Sequence, residues 1–207
     1  MTKKGILAVV SGFSGAGKGT LMKELLQAHK DQYALSVSAT TRQPRAGEEH
    51  GREYFFVTKE EFEQMIREDA LIEYACYVGN YYGTPKSYVL EQMEAGRDVI
   101  LEIEIQGALK VKERFPDTLL LFVTPPSAAE LENRLKGRGT ESSQVIRSRL
   151  KRAVEESEFM EKYDYILIND DLHACVREMH ELIQVQHLRA GSNKEWIEKI
   201  KEELRSL

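Results

Sequence analysis

The chain has 207 residues, 42% hydrophobic and 30% charged, with five Pro and fourteen Gly. That suits one sizeable domain or a core with small insertions and excludes disordered, collagen-like and low-complexity classes. Its 29 Lys and Arg against 34 Asp and Glu leave a formal net charge of −5, which argues against a general nucleic-acid binder, so any anionic ligand must meet local positive charge.

Cys76 and Cys175 are too few for a disulfide scaffold and lack metal-ligand spacing, so they read as ordinary buried thiols in a reducing cytosol. The apolar run Ile6–Val10 follows two lysines but is too short for a signal peptide and leads straight into Ser, Gly and Lys. No later segment reaches the ~20 apolar residues that span a bilayer. A cytoplasmic protein with no membrane partner is expected.

In chain order, Ile6–Ser11 predicts a buried strand and Gly19–His29 the helix behind it. From Ser38 to Tyr88 the chain is rich in Tyr, Gly and short alternating runs, which predicts a strand-rich insertion. Val99–Ile103, Thr118–Val123 and Tyr165–Ile168 are further buried-strand candidates. Between the last two, about Leu131 to Arg149, GRGTESS flanked by arginines predicts a mobile polar flap. Thr58 with Glu61, Ser127 with Glu130 and Ser192 with Glu195 each fit a capping box. Gly191 is expected to end a helix starting at Leu172, with a short helix after it. Its even mixture of signs suits either a surface cover or self-association into a homo-oligomer.

Short apolar runs alternating with amphipathic stretches predict an α/β fold with a parallel sheet flanked by helices. The core takes residues 1–37 and 89–190, the insertion 38–88, the flap about 131–149 and the final helix 191–207.

Gly12, Phe13, Ser14, Gly15, Ala16, Gly17, Lys18, Gly19 and Thr20 follow the first strand and open the first helix, the context a P-loop needs. Glycines let backbone N–H groups curl around phosphate oxygens, and Lys18 adds a full charge to that of the helix N-terminus. A strict Walker A loop has Ser or Thr directly after Lys. Here Gly19 takes that place and Thr20 follows, an ending similar to nucleoside monophosphate kinases. Val99–Glu102 ends a buried strand in a carboxylate, as a Walker B segment does, so Thr20 and Glu102 are the candidate magnesium positions, the latter directly or through water.

The stretch Thr40–Val57 carries Thr40, Thr41, Arg42, Arg45, Glu48, Gly51, Tyr54 and Phe56 at the spacing of the guanylate kinase signature. Asn80–Thr84, Gln106-Gly107, Pro125–Ser127, Arg134–Gly139 and Asn169–Asp171 extend the resemblance over about residues 5 to 188. The resemblance implies a P-loop kinase fold and phosphoryl transfer from ATP, with Mg2+, to GMP and dGMP. It implies that Arg42, Arg45, Tyr54 and Tyr82 hold the GMP phosphate, and that Ser38, Glu73, Thr84 and Glu104 contact guanine. Many members carry Asp where this chain has Glu102 and Glu104. Arg134, Arg138 and Arg149 match the lid arginines, and Asn169 matches a position near the adenine of ATP, although Asn before two Asp also suits a plain turn. Two other readings are weighed beside this one: a guanylate-kinase-like phosphopeptide-binding module, and a monophosphate kinase for another base.

Overall fold

The computed structural model describes residues 4–77, 79–137 and 142–207. In chain order the elements are β1 (Leu7–Gly12), α1 (Lys18–Ala28), β2 (Tyr33–Leu35), β3 (Ala39–Thr40), β4 (Phe55–Phe56), α2 (Lys59–Arg67), β5 (Leu71–Tyr77), β6 (Asn80–Pro85) and α3 (Lys86–Glu94). They continue with β7 (Asp98–Glu102), α4 (Ile105–Arg114), β8 (Leu119–Thr124), α5 (Ala128–Gly137), α6 (Ser143–Ser157), β9 (Tyr165–Ile168), α7 (Leu172–Gln186) and α8 (Lys194–Arg205).

The main sheet is five-stranded in the order β2-β7-β1-β8-β9, with every neighbour pair parallel. Its centre shows no alternation of buried and exposed positions: Ala8, Val9, Val10, Ile100, Leu101, Leu120 and Leu121 are all fully buried. A parallel strand with both faces covered reads as a continuous apolar run, which is why these strands are visible in the sequence. β1 sits between β7 and β8, so the C-terminal ends of all three open on one edge. That edge is where a doubly wound sheet leaves its ligand crevice.

One expectation about strands is corrected, and one strand is new. Tyr165–Ile168 is a strand, but an outer one: only Leu167 is buried, because no strand pairs beyond β9 among the described residues. β2 has no counterpart in the sequence reading, since three residues give too little periodicity to register.

The second sheet, in the order β4-β3-β6-β5, lies entirely within residues 39–85. It has its own small core of Ala39, Phe62 and Leu71, with the Phe62 and Tyr81 rings stacked at 5.1 Å. α2 covers it, started by a complete capping box between Thr58 and Glu61. The strand-rich part ends at Pro85. α3, though inside the span assigned to the insertion at its first residues, packs Val89 into the main core. Ile72 of β5 also joins that core, and Arg114 of α4 donates to the carbonyls of Leu71 and Ile72 at 3.0 and 2.9 Å. β5 is thus tied to the main body just before Glu73.

The expected flap is mostly helical. α5 covers it up to Gly137 and α6 from Ser143 onward, and Arg138 and Gly139 lie outside the described residues. Ser127 accepts from the Glu130 N–H at 3.1 Å, as its cap role requires. Ser192 does not cap: its hydroxyl donates to the Gln186 carbonyl at 3.0 Å, and Asn193 takes the N-cap position. α7 stops at Gln186, before Gly191, and a short 3-10 turn leads into α8. Cys175 is buried and burial pushes its thiol up to about 11, whereas Cys76 is exposed on β5, so only one thiol fits the buried reading. Among the described residues no helix is long and apolar enough to cross a membrane.

Candidate active site

The loop between β1 and α1 is built by close approach. At Gly12, φ is +151° and a Cβ would lie 2.1 Å from the Val123 carbonyl oxygen of β8. Gly17, at φ +92°, forms the N-cap of α1, and a Cβ there would lie 2.5 Å from the Asn169 amide nitrogen. Only glycine meets both demands. Phe13 anchors the loop by turning its ring onto Phe122, 5.0 Å away. The Lys18 ammonium reaches back over the loop, donating to the carbonyls of Gly12 at 2.7 Å and Phe13 at 3.2 Å. Ser14, Gly15, Gly17, Lys18, Gly19, Thr20 and Glu102 line one cleft of about 380 Å³. An N-terminal helix turn, a lysine and the N–H groups of a glycine-rich loop on one cleft make an anion cradle.

Glu102, at the end of β7, faces Lys18 across this cleft. Its carboxyl is open to solvent at the mouth yet walled by protein elsewhere. Burial raises its pKa, and the Lys18 charge opposes that rise. Thr20 and Glu102 offer hard oxygen donors on the same cleft, a donor set that fits magnesium carried in with a polyphosphate.

Three other side chains converge on the loop. Asn169, buried after β9, donates its amide to the Ala16 carbonyl at 2.8 Å. Arg134 of α5 points its guanidinium to the same carbonyl at 3.5 Å while ion-pairing with Glu130 at 2.7 Å. Arg149 of α6 donates to the Ser14 hydroxyl. Arg134 and Arg149 therefore both reach the phosphate loop. Asn169 is a strut beneath it.

The second sheet assembles a separate cluster of side chains. The Thr40 hydroxyl donates to the Tyr81 carbonyl at 2.9 Å and accepts from the Arg42 N–H, while Thr41 accepts from the Tyr81 N–H at 2.9 Å. The two threonines thus lock β3 to β6 and present Arg42. The Arg42 guanidinium lies 5.3 Å from the Tyr54 ring centre and 5.8 Å from that of Phe56, and the Tyr54 and Tyr82 rings are 5.9 Å apart. Burial raises the Tyr54 pKa, so its phenol stays a neutral donor. The Arg45 side chain is exposed at the rim.

Deeper in, Glu73 is 8% exposed and accepts from the buried Thr84 hydroxyl at 2.8 Å. Burial raises its pKa, with the Thr84 hydrogen bond and Lys110 acting against the rise. Gly107 backs it closely, for a Cβ there would lie 3.3 Å from the Glu73 Oε2. Ser38, half-buried, accepts from the Phe55 N–H through its carbonyl. Glu104 stands apart: it is bonded to Arg152 of α6 at 2.5 Å, with 74% of its side chain exposed.

Two contributions escape a reading of the sequence. Glu48 belongs to the signature without a role there, and its only signal is an acid at a fixed distance beyond two arginines. Asn169 suggests a nucleotide contact, and nothing in its neighbours points to Ala16, 153 positions away.

A P-loop between the first strand and first helix of a parallel sheet, arginines of α5 and α6 reaching it, and a second sheet gathering Arg42, Tyr54, Tyr82 and Glu73 define a P-loop nucleotide kinase. A family model described as guanylate kinase matches residues 4–186. The chain belongs to the guanylate kinase family. The guanylate kinase of Caldanaerobacter subterraneus subsp. tengcongensis is 53% identical over 201 residues, covering 97% of both chains. That of Latilactobacillus sakei subsp. sakei is 48% identical, covering 91% of this chain and 93% of its own. The crystal structure of guanylate kinase from Anaplasma phagocytophilum superposes with a TM-score of 0.70 at 30% identity, covering 90% of this chain and 88% of that one.

Proposed function

We propose that the chain transfers the γ-phosphoryl group of ATP to GMP or dGMP, giving ADP and GDP or dGDP, within purine nucleotide metabolism in the cytoplasm. The observation that carries the reading is Glu73: an acceptor-rich carboxylate, 8% exposed, held by Thr84. Guanine offers N1–H and an exocyclic amine on one edge, and both can donate to that carboxylate. Adenine would bring an acceptor at N1, leaving two acceptors face to face. Ser38 and Glu104 complete the guanine contacts in this reading, Glu104 after exchanging Arg152 for the base.

The phosphate of GMP meets Arg42, Arg45, Tyr54 and Tyr82, where guanidinium and phenol donors fix its orientation. It is already anionic when it attacks, so no general base is needed. Lys18 and the backbone N–H groups of residues 12–20 hold the ATP phosphates in line. Arg134, Arg138 and Arg149 approach the transferring group and offset its charge while the lid excludes water. Thr20 and Glu102 would hold magnesium, which supplies charge compensation at the phosphates when bound. Asn169 braces the loop through the Ala16 carbonyl and, in this reading, lies near the adenine of ATP.

A coupled assay offering GMP, dGMP, AMP, CMP and UMP with MgATP tests this directly. Turnover of GMP and dGMP far above the rest is expected. Preference for another base would overturn the Glu73 assignment, and no ATP turnover with any of them would favour the phosphopeptide-binding module.

A further inference from the structure

We infer that Glu48 is a positioning residue for the acceptor phosphate, aiming Arg42 and shaping the Arg45 turn without touching the substrate itself. The inference rests on the GMP reading above and extends it to a residue outside the set of expected ligands.

Both oxygens of Glu48 are engaged, each by a different part of the phosphate-binding segment. Oε1 accepts from the Arg42 Nη2 at 2.9 Å, and Oε2 accepts from the Arg45 backbone N–H at 2.8 Å. A backbone bond from the Glu48 N–H to the Arg45 carbonyl, at 3.1 Å, closes the same turn. One carboxylate therefore joins the end of β3 to the loop that follows it.

The Arg42 guanidinium has five donors in a rigid plane. Nη2 goes to Glu48 and Nη1 to the Gln43 carbonyl at 2.8 Å, while the guanidinium lies against Tyr54 and Phe56. With plane and rotation both set, the remaining N–H groups have one direction left. Only 15% and 18% of the Arg42 and Glu48 side chains are exposed. Glu48 holds the Arg42 pKa up, and Arg42 and the Arg45 N–H hold the Glu48 carboxyl below its usual range, so both stay charged across the working pH. The ion pair and the Arg45 N–H bond also hold the two parts of the segment together before an anion arrives. Preorganising a donor lowers the cost of binding, so the effect belongs on the affinity for GMP.

Glu48→Gln is the sharp test. An amide can accept from one of the two donors, but its NH2 must then face the other, and the turn loses one tie with little change in size. In the full chain we expect the KM for GMP to rise about tenfold, with the KM for ATP and kcat at saturating GMP within about twofold. Glu48→Asp should recover most of the loss, because it restores both acceptors. In an Arg42→Ala background the same Glu48→Gln change should add much less than it does alone, because part of the unit is already gone. The inference is overturned if the KM for GMP is unchanged, if the KM values for ATP and GMP rise together, or if the two substitutions multiply in full. A wild-type chain that fails to phosphorylate GMP would remove the underlying reading and this inference with it. A wild-type chain that succeeds beside an indifferent Glu48→Gln would remove this inference alone.

Discussion

The Thr84 hydroxyl donates to the Glu73 carboxylate at 2.8 Å with both residues buried, so a titrating acid stands in the interior with one neutral partner. Burial raises its pKa above that of an unfolded glutamate. The folded chain therefore keeps this proton to higher pH than the unfolded chain does. Stability falls as pH rises from the ordinary glutamate range through the raised folded pKa, and above it the full cost of the buried charge stands. Glu73→Gln should raise the melting temperature at neutral pH in the absence of nucleotide by a few degrees, with the advantage vanishing below about pH 4. The same substitution should raise the KM for GMP about 100-fold, leave that for ATP within about twofold, and narrow the preference for GMP over AMP. Thermal melts across pH with paired kinetics would check both halves, and a lower melting point at neutral pH would contradict the charge argument.

Removing the Lys18 ammonium by Lys18→Ala should cut kcat by about 10²–10³ or more while circular dichroism and the melting curve stay close to those of the parent. Its bonds to the Gly12 and Phe13 carbonyls place it over the loop, where a polyphosphate would meet it. Near-normal turnover would mean that the charge of this residue is not used.

Asn169 supports the loop from below, and its effect should appear on the donor nucleotide. Asn169→Ala removes the bond to the Ala16 carbonyl and leaves that oxygen without this donor. The expected result is a rise of about tenfold in the KM for ATP, with the KM for GMP little changed. Gly17→Ala should be worse, because the new Cβ meets the Asn169 amide at 2.5 Å in a backbone conformation that alanine resists. Calorimetry with ATP on both variants would check the order.

The capping box of α2 offers a test of the second sheet alone. Thr58→Ala removes the acceptor for the Glu61 N–H, 3.1 Å away, which should cost about 1 kcal/mol and lower the melting temperature by about 2–4 °C. Turnover at moderate temperature should be retained, as Thr58 is exposed and lies outside the phosphate-loop cleft.

The buried strands are legible along the chain, because Leu7–Val10, Val99–Leu101 and Leu119–Val123 are covered on both faces and must be apolar throughout. So are the phosphate loop and the Thr58 and Ser127 caps, whose chemistry acts over a few neighbouring positions. Contacts between distant positions belonged to tertiary structure alone. Only folding decided that Asn169 reaches Ala16, that Arg149 reaches Ser14, and that Glu104 faces Arg152. It decided too that β9 is an edge and that Ser192 serves Gln186 instead of capping a helix. The physical reason is one of range: periodicity and capping are set by neighbours along the chain, whereas side-chain direction at a sheet edge depends on which strand lies beside it.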